Sequence, residues 1–223
     1  MLGRDHALVG AVVGLALCDG LAASHPAARP AGPPLTSLLF VCASAGAATL
    51  SDVDEPGAGV AGVGGVASRA ASCVLGRVAG GHRGATHSLL GLAVATLGAS
   101  VALSTSPVAA AILLGVLVAC AGRVLSGRTT LGILVGVVAA VVARHDPLGN
   151  WTVAAVTLGV GSHLLADALT HGGVPLLWPL RRRFRITAGF RSGGVVERLV
   201  APSVLLVGLA VEVVVRLQLP SVH

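Results

Sequence analysis

The run PVAAAILLGVLVACAGRVLSGRTTLGILVGVVAAVVA, residues 107–143, decides how this chain is built. Two apolar arms, 107–122 and 129–143, flank a short segment that carries Arg123 and Arg128. Each arm is shorter than the roughly 20 residues of an ideal bilayer-crossing helix. Reading the stretch as one long span would bury both arginines, each at a cost of about 2.5–3.5 kcal/mol on insertion scales. The stretch therefore predicts a hairpin of two membrane helices with the arginines at its turn.

Working outward, further apolar runs occupy residues 7–23, 35–50, 86–104, 151–170 and 199–217. The expected architecture is an all-α polytopic bundle of about seven spans, with five or six as the alternatives. Composition agrees. The 223 residues are 54% hydrophobic and 11% charged, whereas an ordinary soluble domain carries about 25% charged residues. The 31 glycines suit helices that approach one another closely in a bilayer. The whole chain, 1–223, reads as one integral membrane domain with two notable connections, 51–85 and the basic loop 171–198. The first of these is Gly-rich and expected to be part irregular, part helical. No persuasive A-x-A cleavage site follows the first span, which is read as retained. Cys18, Cys42, Cys73 and Cys120 lack C-x-x-C spacing and read as small apolar residues.

The 15 basic residues are all arginines and outnumber the 9 acidic ones, giving +6. Distributed over alternating sides of seven spans, Arg4, Arg69, Arg77, Arg83, Arg123, Arg128, Arg181, Arg182, Arg183, Arg185, Arg191 and Arg198 share the side of the N-terminus. Arg29, Arg144 and Arg216 fall opposite. By the positive-inside rule the expectation is a multi-pass protein of the cell (inner or plasma) membrane with a cytoplasmic N-terminus. Nucleic acid is a poor partner for so apolar a chain. The run Arg181–Arg185 instead suits anionic lipid headgroups, each basic residue adding on the order of 1 kcal/mol of attraction.

The sparse polar residues gather in three places. Asp52 and Asp54, followed by Glu55 and Pro56, stand just after the second span and can aim two carboxylates at one cation, or simply cap the helix in water. The stretch from Gly81 to Ser88 packs His82, Arg83, Thr86 and His87 into the entry to the third span, with Thr86 as an expected N-cap. His163, Asp167 and His171 follow at i, i+4 and i+8 on one helix face, a spacing from which two ligands share one metal. Imidazole nitrogen and carboxylate oxygen suit Zn²⁺ first, with Mn²⁺ or Fe²⁺ as alternatives. The bland readings are a polar collar at the interface and an interhelical hydrogen-bond network. The topology weighs against them, because His6, Asp52, Asp54, His82, His87, His163 and Asp167 all map to the cytoplasmic ends of their spans. One composite site opening to the cytoplasmic leaflet is expected.

These elements together resemble the YdjM-like family of predicted membrane-bound metal-dependent hydrolases. The resemblance rests on Asp5-His6 before the first span, Asp52-x-Asp54, the His82-Arg83-x-x-Thr86-His87-Ser88 element, and His163-x-x-x-Asp167 with its Gly173-Val-Pro-Leu-Leu-Trp-Pro179 tail. It extends to about Phe190. Where the family pattern looks like Pro-Asp-x-Asp-His, this chain has Ser51-Asp52-Val53-Asp54-Glu55, so Glu55 stands as a substitute oxygen ligand. A weaker likeness, through H-x-x-x-D, is to zinc-dependent phospholipase C. The resemblance implies hydrolysis by metal-activated water of a small-molecule, phosphoester or lipid-linked substrate. His6, Asp52, His82, His87, His163 and Asp167 would hold the metal, Arg83 would bind an anionic substrate group, and Asp54 or Glu55 would serve as base. The competing function is a non-catalytic membrane protein that binds or translocates a cation or proton.

Overall fold

The computed structural model describes residues 1–24, 34–145, 149–180 and 182–186, with the positions 191, 194, 203, 206, 207 and 210. Among them the chain is all-helical, with α1 Gly3–Ser24, α2 Pro34–Ala47, α3 Gly65–Val78, α4 Leu89–Thr105, α5 Pro107–Ser126, α6 Thr129–His145 and α7 Trp151–Ala168. Short 3-10 turns at Leu50–Asp54, Val60–Gly62 and Ala85–His87 and one antiparallel bridge between Val174 and Phe184 complete the description. Six of the expected spans each coincide with a helix. The run at 199–217 falls outside the described residues, save positions 203, 206, 207 and 210. α3 is the helical part of the 51–85 connection.

The arginine hairpin forms as its sequence dictates. Ser106 caps α5 by accepting from the Ala109 amide at 3.0 Å, and Pro107 occupies the first turn, where its missing N–H costs nothing. The helix stops at Gly127, whose φ of +71° only glycine adopts freely and whose amide donates to the Arg123 carbonyl at 3.0 Å. α6 then returns along α5. A Cβ on Gly115 would lie 2.8 Å from the Gly136 carbonyl oxygen, so the two backbones touch without intervening side chains.

Leu35–Asp54 and Pro107–Ser126 are long and apolar enough to cross a bilayer; Leu89–Thr105 and Thr129–Arg144 are apolar but shorter. Large apolar residues face outward, among them Val94 at 61%, Leu97 at 64% and Leu134 at 61% exposure. Such a face is costly in water and at home in lipid. Inside, Phe40, Leu114, Leu117, Trp151 and Val156 are buried where α2, α5 and α7 meet. Cys42, Cys73 and Cys120 are free thiols.

The close packing of α1, α2 and α7 positions the polar residues. Ser44 on α2 donates from Oγ to the Gly10 carbonyl of α1 at 2.9 Å, in a buried contact. Gly159 of α7 presses on the same stretch of α2, against Ser44, Ala47 and Ala48. The start of α1, the end of α2 and the end of α7 are thereby brought together, and the turn before α4 closes the fourth side.

Candidate metal centre

α7 places His163 and Asp167 one turn apart on one face, both buried. His163 Nδ1 lies 2.6 Å from the Ala48 carbonyl oxygen. A carbonyl only accepts, so Nδ1 carries the proton, and the neutral ring presents a lone pair at Nε2. The tautomer of His87 follows from a second relay. Thr86 Oγ1 donates to Asp54 Oδ2 at 2.5 Å, spending its single proton, and therefore accepts from His87 Nδ1 at 3.1 Å. His87 Nε2 then faces inward, 3.1 Å from His163 Nε2.

Two carboxylates complete the cluster. Asp52 Oδ1 is 3.5 Å from His87 Nε2 and 3.8 Å from His163 Nε2. Asp167 Oδ2 is 3.7 Å from each of the same nitrogens. Four donor atoms from three separate segments thus converge in a buried place, an arrangement that a shared cation would stabilise. Ligands on a tetrahedral Zn²⁺ with bonds of 2.0–2.1 Å stand about 3.3 Å apart, close to the separations found. The donor set fits such an ion, and it also fits Mn²⁺ or Fe²⁺ by ligand chemistry.

His6 and His82 flank this core. The His6 ring stacks on His163 with centroids 3.6 Å apart, and its Nε2 is 3.4 Å from Asp167 Oδ1. Both His6 nitrogens are buried, and among the described residues neither has a well-formed hydrogen bond beyond the contact with Asp167. His6, Asp52 and His163 bring ligand atoms within 4.8 Å of one another, and so do Asp52, His82 and His87. Asp52 therefore belongs to both outer groups, a disposition able to accommodate a second ion. The His82 side chain is 41% exposed and its Nδ1 is 3.0 Å from Asp54 Oδ1. That hydrogen bond raises the imidazole above its ordinary pKa, against the opposing effect of partial burial.

The expected catalytic residues are placed differently from one another. Arg83 takes a left-handed backbone, φ +59°, just after Gly80 and Gly81, which also have positive φ. The turn aims its guanidinium inward. Nη2 donates to Asp167 Oδ1 at 2.9 Å, and Nη1 donates to Thr170 Oγ1 and the Gly173 carbonyl at 3.2 and 3.3 Å. Asp167 Oδ1, which also accepts from the Met1 amino group at 2.8 Å, is thus held by cations while Oδ2 faces the histidines. Asp54 is buried, with both oxygens engaged by His82 and Thr86. Glu55 stands apart from the groups of clustered ligand atoms. It ends the 3-10 turn in extended backbone, φ −109° and ψ 106°, and Oε1 accepts from the Gly57 amide at 3.1 Å.

Two local expectations are corrected. The N-cap of α4 is Ser88, whose Oγ accepts from the Gly91 amide at 3.2 Å, because Thr86 is committed to Asp54 one 3-10 turn earlier. His171 does not continue the His163–Asp167 face, since α7 ends at Ala168 and His171 is exposed beyond it. Sequence reasoning missed the orienting roles of Thr86 and the Ala48 carbonyl. The adjacency of Thr86 and His87 was a signal for the first; a backbone acceptor leaves none.

No solved structure matches this chain. The inner membrane protein YdjM of Escherichia coli (strain K12) is 64% identical over 31 residues, and so is its counterpart in Shigella flexneri. The matched stretch covers 14% of this chain and 16% of each relative. The sequence model of the YdjM inner membrane proteins matches residues 1–218, nearly the full length, and the chain therefore belongs to the YdjM inner membrane protein family.

Proposed function

We propose that this protein is a multi-pass metal-dependent hydrolase of the inner membrane whose centre opens to the cytoplasmic side. The reading is carried by one observation: Nε2 of His87 and Nε2 of His163 face each other at 3.1 Å, each ring fixed by a hydrogen bond on its far nitrogen. Histidine ligands in metal enzymes are oriented in this way by outer hydrogen bonds. With Asp52 and Asp167 they would hold a divalent ion, Zn²⁺ foremost, with His6 and His82 available to a second.

A bound ion would supply Lewis acidity and bring the pKa of a coordinated water towards 7. The chain's own residues do the rest. Arg83 holds one oxygen of Asp167 so that the other stays on the histidines. Thr86 and the Ala48 carbonyl lock the two rings. His82 reaches the half-exposed rim with a proton that Asp54 stabilises, which makes the pair suited to protonate a leaving group; Asp54 acts through His82 instead of meeting substrate directly. Arg83, bound to Asp167, positions the centre and leaves only its remaining donors for an anionic substrate.

The test combines metal content with turnover. Protein purified in detergent is expected to contain zinc at one or two equivalents, lost in His163→Ala and Asp167→Ala. A panel of phosphoester, lipid and peptide substrates should show turnover that both variants abolish. Metal bound without any variant-sensitive turnover would transfer the site to the cation-binding reading, and a metal-free protein would leave only a hydrogen-bond network.

A further inference from the structure

Two cavities, each of about 430 Å³, are lined by residues that touch or adjoin the ligand cluster, and Trp178 lines both. The first is walled by Leu75 and Val78 of α3, Leu90 and Val94 of α4, Val160 of α7 and the Trp178 ring. Polar hydroxyls border it at Ser51 and Thr86, and Thr86 is the residue that joins Asp54 to His87. The second cavity is lined by Arg83 and Arg183 together with Gly80 and Gly84. Arg83 in turn touches Asp167. An apolar chamber bordering Thr86 and an arginine-lined one bordering Arg83 thus meet at Trp178 near the cluster, and their volumes lie in the range of small-molecule sites.

The apolar chamber opens outward, since Leu90, Val94 and Val78 remain 49, 61 and 75% exposed. α3, which forms one lip, has two distinct faces. Ser72, Gly76 and Ala79 are buried against the rest of the protein, while Val66, Ala70, Val74 and Val78, spaced at i+4, are exposed with Arg69 and Arg77 beside them. An apolar stripe flanked by arginines is the pattern of a helix lying in the membrane interface. A water-soluble substrate would gain nothing from a chamber that opens beside such a helix.

We infer that the substrate of this centre is an anionic lipid phosphoester, with one alkyl chain in the α3–α4 chamber and its phosphate beside Arg83 and Arg183. The inference rests on the hydrolase reading given above. In the reaction the oxygen of water bonds to phosphorus, the ester P–O bond breaks, and the proton from water ends on the departing oxygen, so no further reactant is required.

The experiment uses the full, zinc-containing chain in detergent and reads ligand retention by native mass spectrometry, with dodecyl phosphate and butyl phosphate as probes. Dodecyl phosphate is expected to be held at least about 100-fold more tightly, because each buried methylene adds to affinity. Ala95→Phe, which projects into the chamber from α4, should remove that preference while leaving zinc content and butyl phosphate retention unchanged. Leu75→Trp, on the opposite lip, should do the same and guards against a folding defect in the first variant. Equal retention of both probes by wild type, or a preference that survives both variants, overturns the inference. Parallel assay of p-nitrophenyl phosphate separates the two ideas. Turnover without chain preference ends the lipid inference and spares the hydrolase; chain-dependent binding without turnover of either ester ends the hydrolase reading and leaves a lipid site.

Discussion

Gly159 sits where α7 crosses α2, one helical turn before His163, and its replacement by alanine should disable the metal centre from a distance. A Cβ there would fall 2.6 Å from the Ala47 Cβ and 2.8 Å from the Ala48 nitrogen, and would overlap the Ser44 carbonyl oxygen. None of these atoms can rotate aside. Restoring ordinary contact at 3.4–4 Å requires α7 to withdraw by about 1 Å. The bond from His163 Nδ1 to the Ala48 carbonyl, 2.6 Å in the native packing, would then stretch to roughly 3.6 Å and cease to orient the ring. Overpacking of this kind costs about 1–3 kcal/mol of stability. Loss of an outer hydrogen bond on a ligating histidine lowers metal affinity by about 10–100-fold. Competition for zinc against a chromophoric chelator measures the second quantity and thermal unfolding in detergent the first. Gly161→Ala is the control, because a Cβ there meets nothing within 4 Å among the described residues. If Gly159→Ala binds zinc within about threefold of wild type while Gly161→Ala does the same, the orienting role assigned to the α2–α7 contact is wrong.

Three other perturbations have definite outcomes. Arg83→Lys replaces a planar fork that reaches Asp167, Thr170 and Gly173 with a single ammonium, and zinc affinity is expected to fall about 10-fold, as read by the same competition; unchanged affinity would return Arg83 to a purely substrate-binding role. Glu55→Gln should leave zinc stoichiometry unchanged, because the carboxylate serves the Gly57 amide, and a loss of metal would place Glu55 among the ligands after all. In metal-free protein the bond between His82 and Asp54 contributes stability below the ordinary imidazole pKa, and that contribution disappears as pH rises through the elevated folded value. His82→Asn should flatten this fall in unfolding temperature on the alkaline side, and an identical pH profile in the variant would show that the pair contributes nothing.

Much of this arrangement is written in the sequence because it depends on local periodicity. Apolar runs of the right length announce six of the helices, and the i, i+4 spacing of His163 and Asp167 commits both to one face whatever α7 packs against. The arginine turn at residues 123–128 is equally local, since charge decides it. What the sequence conceals is set by contacts across the fold. Thr86 reads as a cap until Asp54 is found within reach, and then Ser88 inherits the capping role. Arg83 reads as a substrate binder, but the left-handed turn beside Gly80 and Gly81 points it at Asp167. Spacing cannot reveal where a helix ends against its neighbours, and so His171 looked continuous with a face that stops at Ala168. Glu55 directly follows Asp54 in sequence, yet where the 3-10 turn gives way to extended backbone its carboxylate meets the Gly57 amide, a contact that spacing does not foretell.

The candidate ligand atoms come from widely separated parts of the chain: Asp52 follows α2, His87 precedes α4, and His163 and Asp167 close α7. During synthesis the last of them emerges only after the six helices that precede α7 have been made. Under the metal reading all four donors meet only once α7 has docked on α2, so zinc content would report the assembly of the bundle as well as the site.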